Sequence, residues 1–388
     1  MDDGRPVRGT LFLGALLWNM CNGMLFVLTP LFGVSLGLSV LDIGSLIGLP
    51  YIFTLVMRFV GGAFADRYGE HRMLQACYSL NVLAAVALCL AGGFFSLMLS
   101  SGLANLSRSM FWVPAQSMAS QLSRRNPGRM LGQLSAANYI GQLLGLALGG
   151  ILAGWLGYGP TFILVTVACV VGMLLGFALP PIRLIPGGRT VWQTTVGMSR
   201  RLIERRTWLL LTTSCAAAVP FGITQSIYPV YMSGLNFPEG WISVVIAVRS
   251  IGPVVIGLTL GSEITIQREK VFYATSMGGL GICILASAWT GGWLLLGLCI
   301  AGLGMAGGVA DLLNQVQAVD LSRASDRSAV MAATGLGWNV APMALPLLLG
   351  WAADVWGFGV MFLAAGCFFL LVAAGTPLVY RILDAQHR

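Results

Sequence analysis

The chain has 388 residues, of which 57% are hydrophobic and only 9% are charged. Soluble domains average about 25% charged residues, so this composition excludes an ordinary soluble fold and indicates a protein that lies in a lipid bilayer. The formal net charge of +8 does not indicate nucleic acid as a partner, because the basic residues are spread over seven separate segments and form no single patch.

Apolar runs recur along the whole sequence at the length that a helix needs to cross a membrane, about 20 residues. The first run is interpreted as a retained span, because it is too long for a signal peptide and lacks a small-x-small cleavage site. The outer connections are short, so no domain is expected outside the membrane. The twelve runs cover residues 10–33, 41–65, 74–95, 97–121, 131–156, 160–181, 207–232, 241–261, 271–289, 293–318, 329–354 and 358–382.

Basic residues mark one alternating set of connections. Nineteen of the 22 Lys and Arg residues lie in this set or beside the chain ends, which is the pattern of cytoplasmic segments. With an even number of spans, both termini are expected in the cytoplasm, and the expected location is a bacterial inner membrane. Three arginines remain inside apolar runs: Arg58, Arg108 and Arg249.

The two halves of the chain have internal likeness. Residues 116–124 read QSMASQLSR and residues 315–323 read QVQAVDLSR, at the ends of the fourth and tenth spans. A duplicated six-helix unit is typical of transporters in which two halves move about a central site. We predict a six-helix bundle over 1–182, a cytoplasmic linker over 183–206 and a second six-helix bundle over 207–388. The linker is either an amphipathic helix in its second part or a plain tether.

The connection between the second and third spans reads GAFADRYGEHRML over residues 62–74. It resembles the signature loop of the major facilitator superfamily, Gly-x-Leu-Ala-Asp-Arg-x-Gly-Arg-Lys ending in Leu, with Glu70 and His71 in place of the two expected basic residues. The alternative is a turn that only sets topology. The resemblance implies that gating residues of the cytoplasmic side lie in this loop: Gly62, Asp66, Arg67, Gly69 and Arg72.

The resemblance extends to two further spans. Residues 108–115 read RSMFWVPA, similar to the family's membrane-embedded Arg motif, and residues 141–150 read GQLLGLALGG, similar to the Gly-rich motif of family antiporters with Leu146 in place of Pro. A Gly-rich face also serves close helix packing alone. The resemblance implies an all-α integral membrane protein with twelve transmembrane helices in two pseudo-symmetric six-helix bundles, and a transporter rather than an enzyme.

Polar residues inside spans are the candidates for contact with a substrate. An arginine at the bilayer centre costs on the order of 2.5–3.5 kcal/mol even on a lenient scale, so it normally faces water, a partner or a ligand. Arg58 lies near the cytoplasmic end of its span and is expected to be structural. For Arg108 and Arg249 the alternative to a ligand contact is pairing with backbone carbonyls or with a nearby acid. Each of the uncharged polar residues is as compatible with an interhelical hydrogen bond as with a ligand contact. The predicted substrate-binding residues are Asn19, Asn22, Asn105, Arg108, Trp112, Asn138, Gln142, Gln225, Tyr228, Arg249, Trp338 and Asn339.

Asp311 is the acidic residue that lies well inside an apolar run, so it is the candidate for proton coupling, with arginine pairing or gating as alternatives. Many proton-coupled exporters of the family carry an acid in the first span, where this chain has asparagines. Asp354 lies at the outer end of a span and is expected to be solvated. The cysteines and histidines form no ligand cluster, so no metal, cofactor or catalytic residue is predicted.

The leading hypothesis is a secondary transporter that works by rocker-switch alternating access and exports a small organic molecule, with proton antiport as one form of coupling. The alternative is a carrier of organic or inorganic anions that uses Arg108 and Arg249. A membrane receptor that binds without transporting is the alternative from another class. The expected partners are a small-molecule substrate, the lipid bilayer and protons, without nucleic acid, and the chain is expected to be a monomer.

Overall fold

The structure is a computed structural model that describes residues 4–57, 68–122, 127–179, 205–261, 263–321 and 327–384. The longer regular elements in these ranges are helices, and they follow the predicted spans closely. They are α1 (Gly4–Ser35), α2 (Val40–Gly48), α3 (Glu70–Cys89), α4 (Phe94–Leu122), α5 (Pro127–Leu156), α6 (Tyr158–Phe177), α7 (Arg205–Gly234), α8 (Glu239–Val248), α9 (Ile251–Leu260), α10 (Glu269–Ser287), α11 (Trp293–Leu321) and α12 (Arg327–Asp384).

Helix α12 contains both of the last two predicted spans. Gly357, with φ 79° and ψ 160°, separates its two helical parts. In the described part of the chain, ten segments are long and apolar enough to cross a membrane, and one of them, Gly335–Leu378, covers both of these spans. The fourth predicted span, α4, is a helix of 29 residues but is not among those ten.

The second and eighth spans are interrupted, which the sequence interpretation of continuous spans over 41–65 and 241–261 missed. In the second span, α2 ends before Pro50, and helix resumes over residues 51–57. In the eighth span, the amides of Arg249 and Ser250 bond to carbonyls three residues back rather than four. Pro253 has no N–H to donate to the Arg249 carbonyl, and this carbonyl lies against Gly304 so closely that a Cβ there would overlap it.

The helices form two compact units. Unit 1 contains Met1–Leu38, Pro50–Val191 and Asn236–Val244, and unit 2 contains Ser39–Leu49, Trp192–Leu235 and Val245–Arg388. Each unit thus includes a short segment that the predicted bundles, 1–182 and 207–388, assign to the other half. Most of the predicted linker, residues 183–204, lies outside the described residues.

Equivalent positions in the two repeats are 199 residues apart, as in the two matching segments of the sequence. In unit 1, Ser107 Oγ of α4 donates to the Cys77 carbonyl of α3 at 2.8 Å. At the equivalent positions in unit 2, Ser276 Oγ of α10 donates to the Ala306 carbonyl of α11 at 2.9 Å. The same pair of helices is therefore joined at the same level in both units, with donor and acceptor exchanged.

Close packing of α1 on α5 organises unit 1. Gly141, Gly145 and Gly149 follow one another at every fourth position of α5, and a Cβ on any of them would overlap the backbone or side chains of α1. On another side of α1, the Trp18 ring stacks on Phe111 of α4 with centroids 4.0 Å apart. The Gly-rich motif that resembles the family's antiporter motif therefore forms the contact surface for α1.

Candidate functional site

Arg108 lies on α4 of unit 1, half-buried and surrounded by aromatic side chains. Its Nη1 donates a hydrogen bond to the Tyr51 hydroxyl at 3.3 Å. The guanidinium carbon is 5.1 Å from the Phe26 ring centroid and 6.0 Å from the Tyr51 ring centroid. Cation–π attraction to two rings offsets part of the cost of removing the charge from water. We call Arg108, Phe26 and Tyr51 the Arg108 cluster.

Arg249 lies at the break between α8 and α9 in unit 2 and is only 6% exposed. Its guanidinium carbon is 4.8 Å from the ring centroid of Phe221 on α7. The Phe221 ring in turn contacts Trp338 of α12, with centroids 5.2 Å apart. We call Arg249, Phe221 and Trp338 the Arg249 cluster. It brings together two predicted substrate residues, Arg249 and Trp338, through a phenylalanine that the sequence interpretation missed.

The asparagines of α1 form hydrogen bonds to neighbouring helices of unit 1. Asn19 Nδ2 donates to Asn138 Oδ1 of α5 at 2.7 Å, and Asn22 Nδ2 donates to Asn81 Oδ1 of α3 at 3.0 Å. All four side chains are buried. In a membrane helix such amide pairs contribute to helix association, so the contacts of Asn19, Asn22 and Asn138 are those of interhelical bonds.

In the described structure Asn22 Oδ1 and Asn138 Nδ2 are buried without a hydrogen-bond partner, and two other predicted residues, Gln225 and Asn105, also have such atoms. Neither Nε2 nor Oε1 of Gln225 on α7 has a partner, although the residue is 2% exposed. Asn105 Nδ2 donates to Ser101 O within α4, and its Oδ1 has no partner. A buried amide without partners costs free energy, so both positions suit a hydrogen bond from a ligand or from water.

The remaining predicted substrate residues are not brought together. Tyr228 shares a hydrogen bond of 2.6 Å with Ser287 of α10, and Asn339 Nδ2 donates to Gly335 O of its own helix at 2.8 Å. Trp112 is 37% exposed, and its ring meets Phe111 edge-on. Gln142 is half-buried on α5.

The structure describes the predicted gating loop from residue 68 onward, at the start of α3. Gly69 has φ 87°, a left-handed conformation that favours glycine, and α3 follows it directly. Glu70 Oε1 accepts a hydrogen bond from Ser117 Oγ of α4 at 2.7 Å, and Arg72 is exposed. The Glu70 carboxylate, at the N-terminus of α3, thus joins this helix to α4. Gly62, Asp66 and Arg67, and also Arg58, lie outside the described residues.

Asp311 lies in the middle of α11 in unit 2 and is half-buried. Its Oδ2 accepts a hydrogen bond from Gln315 Nε2, one helical turn further on, at 3.0 Å. An acidic side chain inside a membrane-spanning helix is costly when ionised. Asp311 is therefore chemically suited to gain and lose a proton.

A model of the Major Facilitator Superfamily matches residues 11–305. The chain belongs to the major facilitator superfamily. An MFS-type transporter of uncharacterised function from Enterobacter sp. (strain 638) is 26% identical over 282 residues, which cover 69% of this chain and 70% of that protein. The multidrug resistance protein MdtG from Salmonella paratyphi C (strain RKS4594) is 26% identical over 171 residues, 43% of this chain and 42% of that protein.

Solved structures with little sequence identity have the same fold. The crystal structure of the nucleoside transporter NupG matches with a TM-score of 0.82 and 13% identity, over 98% of this chain and 99% of that one. A bacterial homologue of the human lysosomal transporter Spinster, inward-facing and unoccupied, matches with a TM-score of 0.73 and 15% identity, over 97% of each chain. The predicted fold is confirmed. The protein is a multi-pass integral membrane transporter and not an enzyme.

Proposed function

We propose that this transporter exports a small organic molecule by rocker-switch alternating access. The MdtG relative, named for multidrug resistance, supports the outward direction. The basic residues in alternate connections support cytoplasmic termini in a bacterial inner membrane. We further propose that the transporter acts as a monomer and that Gly62, Asp66, Arg67, Gly69 and Arg72 gate its cytoplasmic side.

The observation that carries the proposal is common to both units. Each unit holds an arginine inside its spans, and each guanidinium lies against an aromatic ring, Phe26 for Arg108 and Phe221 for Arg249. This combination offers a fixed positive charge and flat apolar surfaces in one place. It suits an organic molecule with an aromatic or otherwise planar part, and the unpartnered amide of Gln225 adds a hydrogen-bonding group in unit 2.

A carrier of anions is the second candidate. Arg108 and Arg249 place two positive charges inside spans, and both are held by aromatic neighbours in this structure. Arginine binds carboxylate and phosphate groups through two parallel hydrogen bonds. An organic anion would be a substrate for either candidate, because it offers an anionic group to the guanidinium and a carbon skeleton to the rings.

Transport into oriented membrane vesicles tests direction and substrate charge together. Inside-out vesicles expose the cytoplasmic face, so an exporter accumulates its substrate in them and not in right-side-out vesicles. The probes are the cation ethidium, uncharged chloramphenicol, the anion fluorescein and inorganic phosphate, each compared with vesicles that lack the protein. Accumulation of ethidium or chloramphenicol in inside-out vesicles supports export of a small organic molecule. Accumulation of phosphate or fluorescein alone supports the anion carrier.

The same vesicles separate a transporter from a receptor. A receptor on this scaffold binds a probe, which raises the melting temperature of the purified protein, but moves none of it across the membrane. Uptake restricted to right-side-out vesicles contradicts the proposed export.

A further inference from the structure

A carboxylate from α12 closes the first turn of α2. Asp354 Oδ1 accepts a hydrogen bond from Val40 N at 3.1 Å, and Asp354 Oδ2 accepts one from Leu41 N at 2.8 Å. The first amides of a helix have no partner within the helix, and they carry partial positive charge. Asp354, which the sequence suggests is merely solvated, therefore binds the helix terminus with both oxygens.

Helix α2 has its own cap as well. Asp42 N donates to Ser39 Oγ at 3.0 Å, and Ser39 N donates to Asp42 Oδ2 at 3.2 Å. This reciprocal pair is a capping box, which satisfies the helix end locally. The bonds from Asp354 are additional, and they join α2 to a helix that lies more than 300 residues away in the sequence.

Glycines allow α2 and α12 to touch along their backbones. A Cβ on Gly44 would overlap the Pro346 carbonyl, a Cβ on Gly48 would lie 2.6 Å from the Met343 carbonyl oxygen, and a Cβ on Gly350 would lie 2.8 Å from the Val40 carbonyl oxygen. The two helices therefore pack without intervening side chains. Such contacts are short-ranged, so a gap of about 0.5–1 Å already removes about a quarter to a half of their attraction.

The contact joins parts of the chain that belong to different repeats. By sequence, α2 is the outer part of the second span, in the amino-terminal repeat, yet it packs in unit 2 with α12. The chain passes into unit 1 at Pro50, where the helix is interrupted. In alternating access the two repeats must separate on one side of the membrane at a time, and a contact of this kind has to break on its own side.

We propose that Asp354 is a gating residue whose carboxylate latches α2 onto α12 while the outer side is closed, and that the latch releases when the outer side opens. The glycine contacts set the distance between the helices, and the two directional bonds from Asp354 set their register. Asp354 is exposed, so water can replace its bonds during opening, and the latch is weak enough to open in each cycle. An exposed carboxylate at a helix N-terminus shifts such an equilibrium by about two- to fivefold.

Hydrogen–deuterium exchange of the full-length protein in nanodiscs tests this proposal. It rests on the proposed alternating access, but the readout needs no substrate, so a failure to find transport does not affect it. Asp354→Asn is compared with Asp42→Asn, the same substitution at the same helix terminus. We expect Asp354→Asn to speed exchange about two- to fivefold in residues 40–48 and also in residues 343–353 of α12. We expect Asp42→Asn to affect only the first turn of α2.

The proposal is overturned if Asp354→Asn speeds exchange only at Val40 and Leu41. It is also overturned if Asp42→Asn speeds exchange in α12 as much as Asp354→Asn does. The first result would mean that Asp354 caps α2 without holding it against α12. The second would mean that the contact between α2 and α12 depends only on whether α2 is helical. Asp354→Glu keeps the carboxylate on a longer side chain. We expect its exchange rates to lie between those of the wild type and those of Asp354→Asn. If Asp354→Asn does not fold, Asp354→Glu alone carries the comparison with Asp42→Asn.

Discussion

Helices α4 and α11 hold the same place in the two repeats but present different surfaces. Helix α4 carries an amide, a guanidinium and an indole at the positions where α11 carries two glycines and a carboxylate. Both helices are hydrogen-bonded at the same level to the preceding helix of their unit, α4 as donor and α11 as acceptor. The pairs, 199 residues apart, are Asn105 and Gly304, Arg108 and Gly307, and Trp112 and Asp311.

The difference shows where the duplicated unit has kept its scaffold and where it has diverged. A Cβ on Gly304 would overlap the Arg249 carbonyl, and a Cβ on Gly307 would lie 2.6 Å from the Pro220 ring. In unit 2, the glycine face of α11 thus allows α7 and the interrupted eighth span to pack closely against it. Arg249 lies at this interruption. Unit 1 instead places its arginine directly on α4. Arg108 and Arg249 therefore lie at positions that are not equivalent in the two repeats.

Among these three pairs, Trp112 and Asp311 give the largest expected effect. If Asp311 carries the coupling proton, Asp311→Asn cannot release one, and accumulation driven by a pH gradient in proteoliposomes should fall at least about tenfold, to the level of protein-free liposomes. Exchange of labelled for unlabelled substrate should persist, because it needs no net proton movement. Asp320→Asn, in the exposed last part of the same helix, is the control. Unchanged gradient-driven accumulation in Asp311→Asn contradicts proton coupling through this residue.

The pair Asn105 and Gly304 gives an effect on stability. Gly304→Ala forces a methyl group against the Arg249 carbonyl, and overpacking of this kind costs about 1–3 kcal/mol of unfolding free energy. Gly297→Ala, in the same helix with open space around it, should leave the melting temperature unchanged or raise it slightly. Thermal unfolding in detergent compares the two variants. Equal melting temperatures would mean that α11 does not hold the break in place.

The smallest effect concerns α1 and α7. Unit 1 joins Asn22 to Asn81 by a hydrogen bond, whereas the equivalent residues of unit 2 are Phe221 and Leu280, and Phe221 supports Arg249. A double-mutant cycle with Asn22→Ala and Asn81→Ala should give a coupling energy of about 0.6 kcal/mol, as is average for hydrogen bonds between membrane helices. Loss of transport in Asn22→Ala without loss of stability would instead favour the predicted substrate contact.

The positions of the spans were predictable because the bilayer fixes how long an apolar helix must be. The fourth span, predicted over 97–121, is the helix Phe94–Leu122. The break at Arg249 was not predicted, although Pro253 is visible in the sequence, because a proline frees one carbonyl without determining whether the helix breaks there. In the structure the Arg249 carbonyl accepts a hydrogen bond from Gly252 N and packs against Gly304, which is distant in sequence.

Of the two arginine clusters, the sequence predicted the charged members and Trp338. Arg108 and Arg249 are conspicuous because charge is rare inside spans. Phe26, Tyr51 and Phe221 were missed, since an aromatic residue in an apolar run has the same pattern whether it faces lipid or a guanidinium. Partners of amides were likewise hidden, so Asn19 and Gln225, both predicted as ligand contacts, differ in the structure: the former is hydrogen-bonded and the latter is not.

The most direct test of the central claim, that the Arg108 cluster lines the substrate path, is the kcat/KM of flux for Arg108→Ala in proteoliposomes with the probe identified in vesicles. Loss of a charge-assisted contact should lower kcat/KM by about 10- to 100-fold, with partial recovery in Arg108→Lys. Arg8→Ala is the matched control, because Arg8 also donates a hydrogen bond in unit 1, to Gln133 Oε1 at 2.6 Å, and should change flux less than about twofold. An Arg108→Ala protein that transports like the wild type, or no worse than Arg8→Ala, contradicts the account.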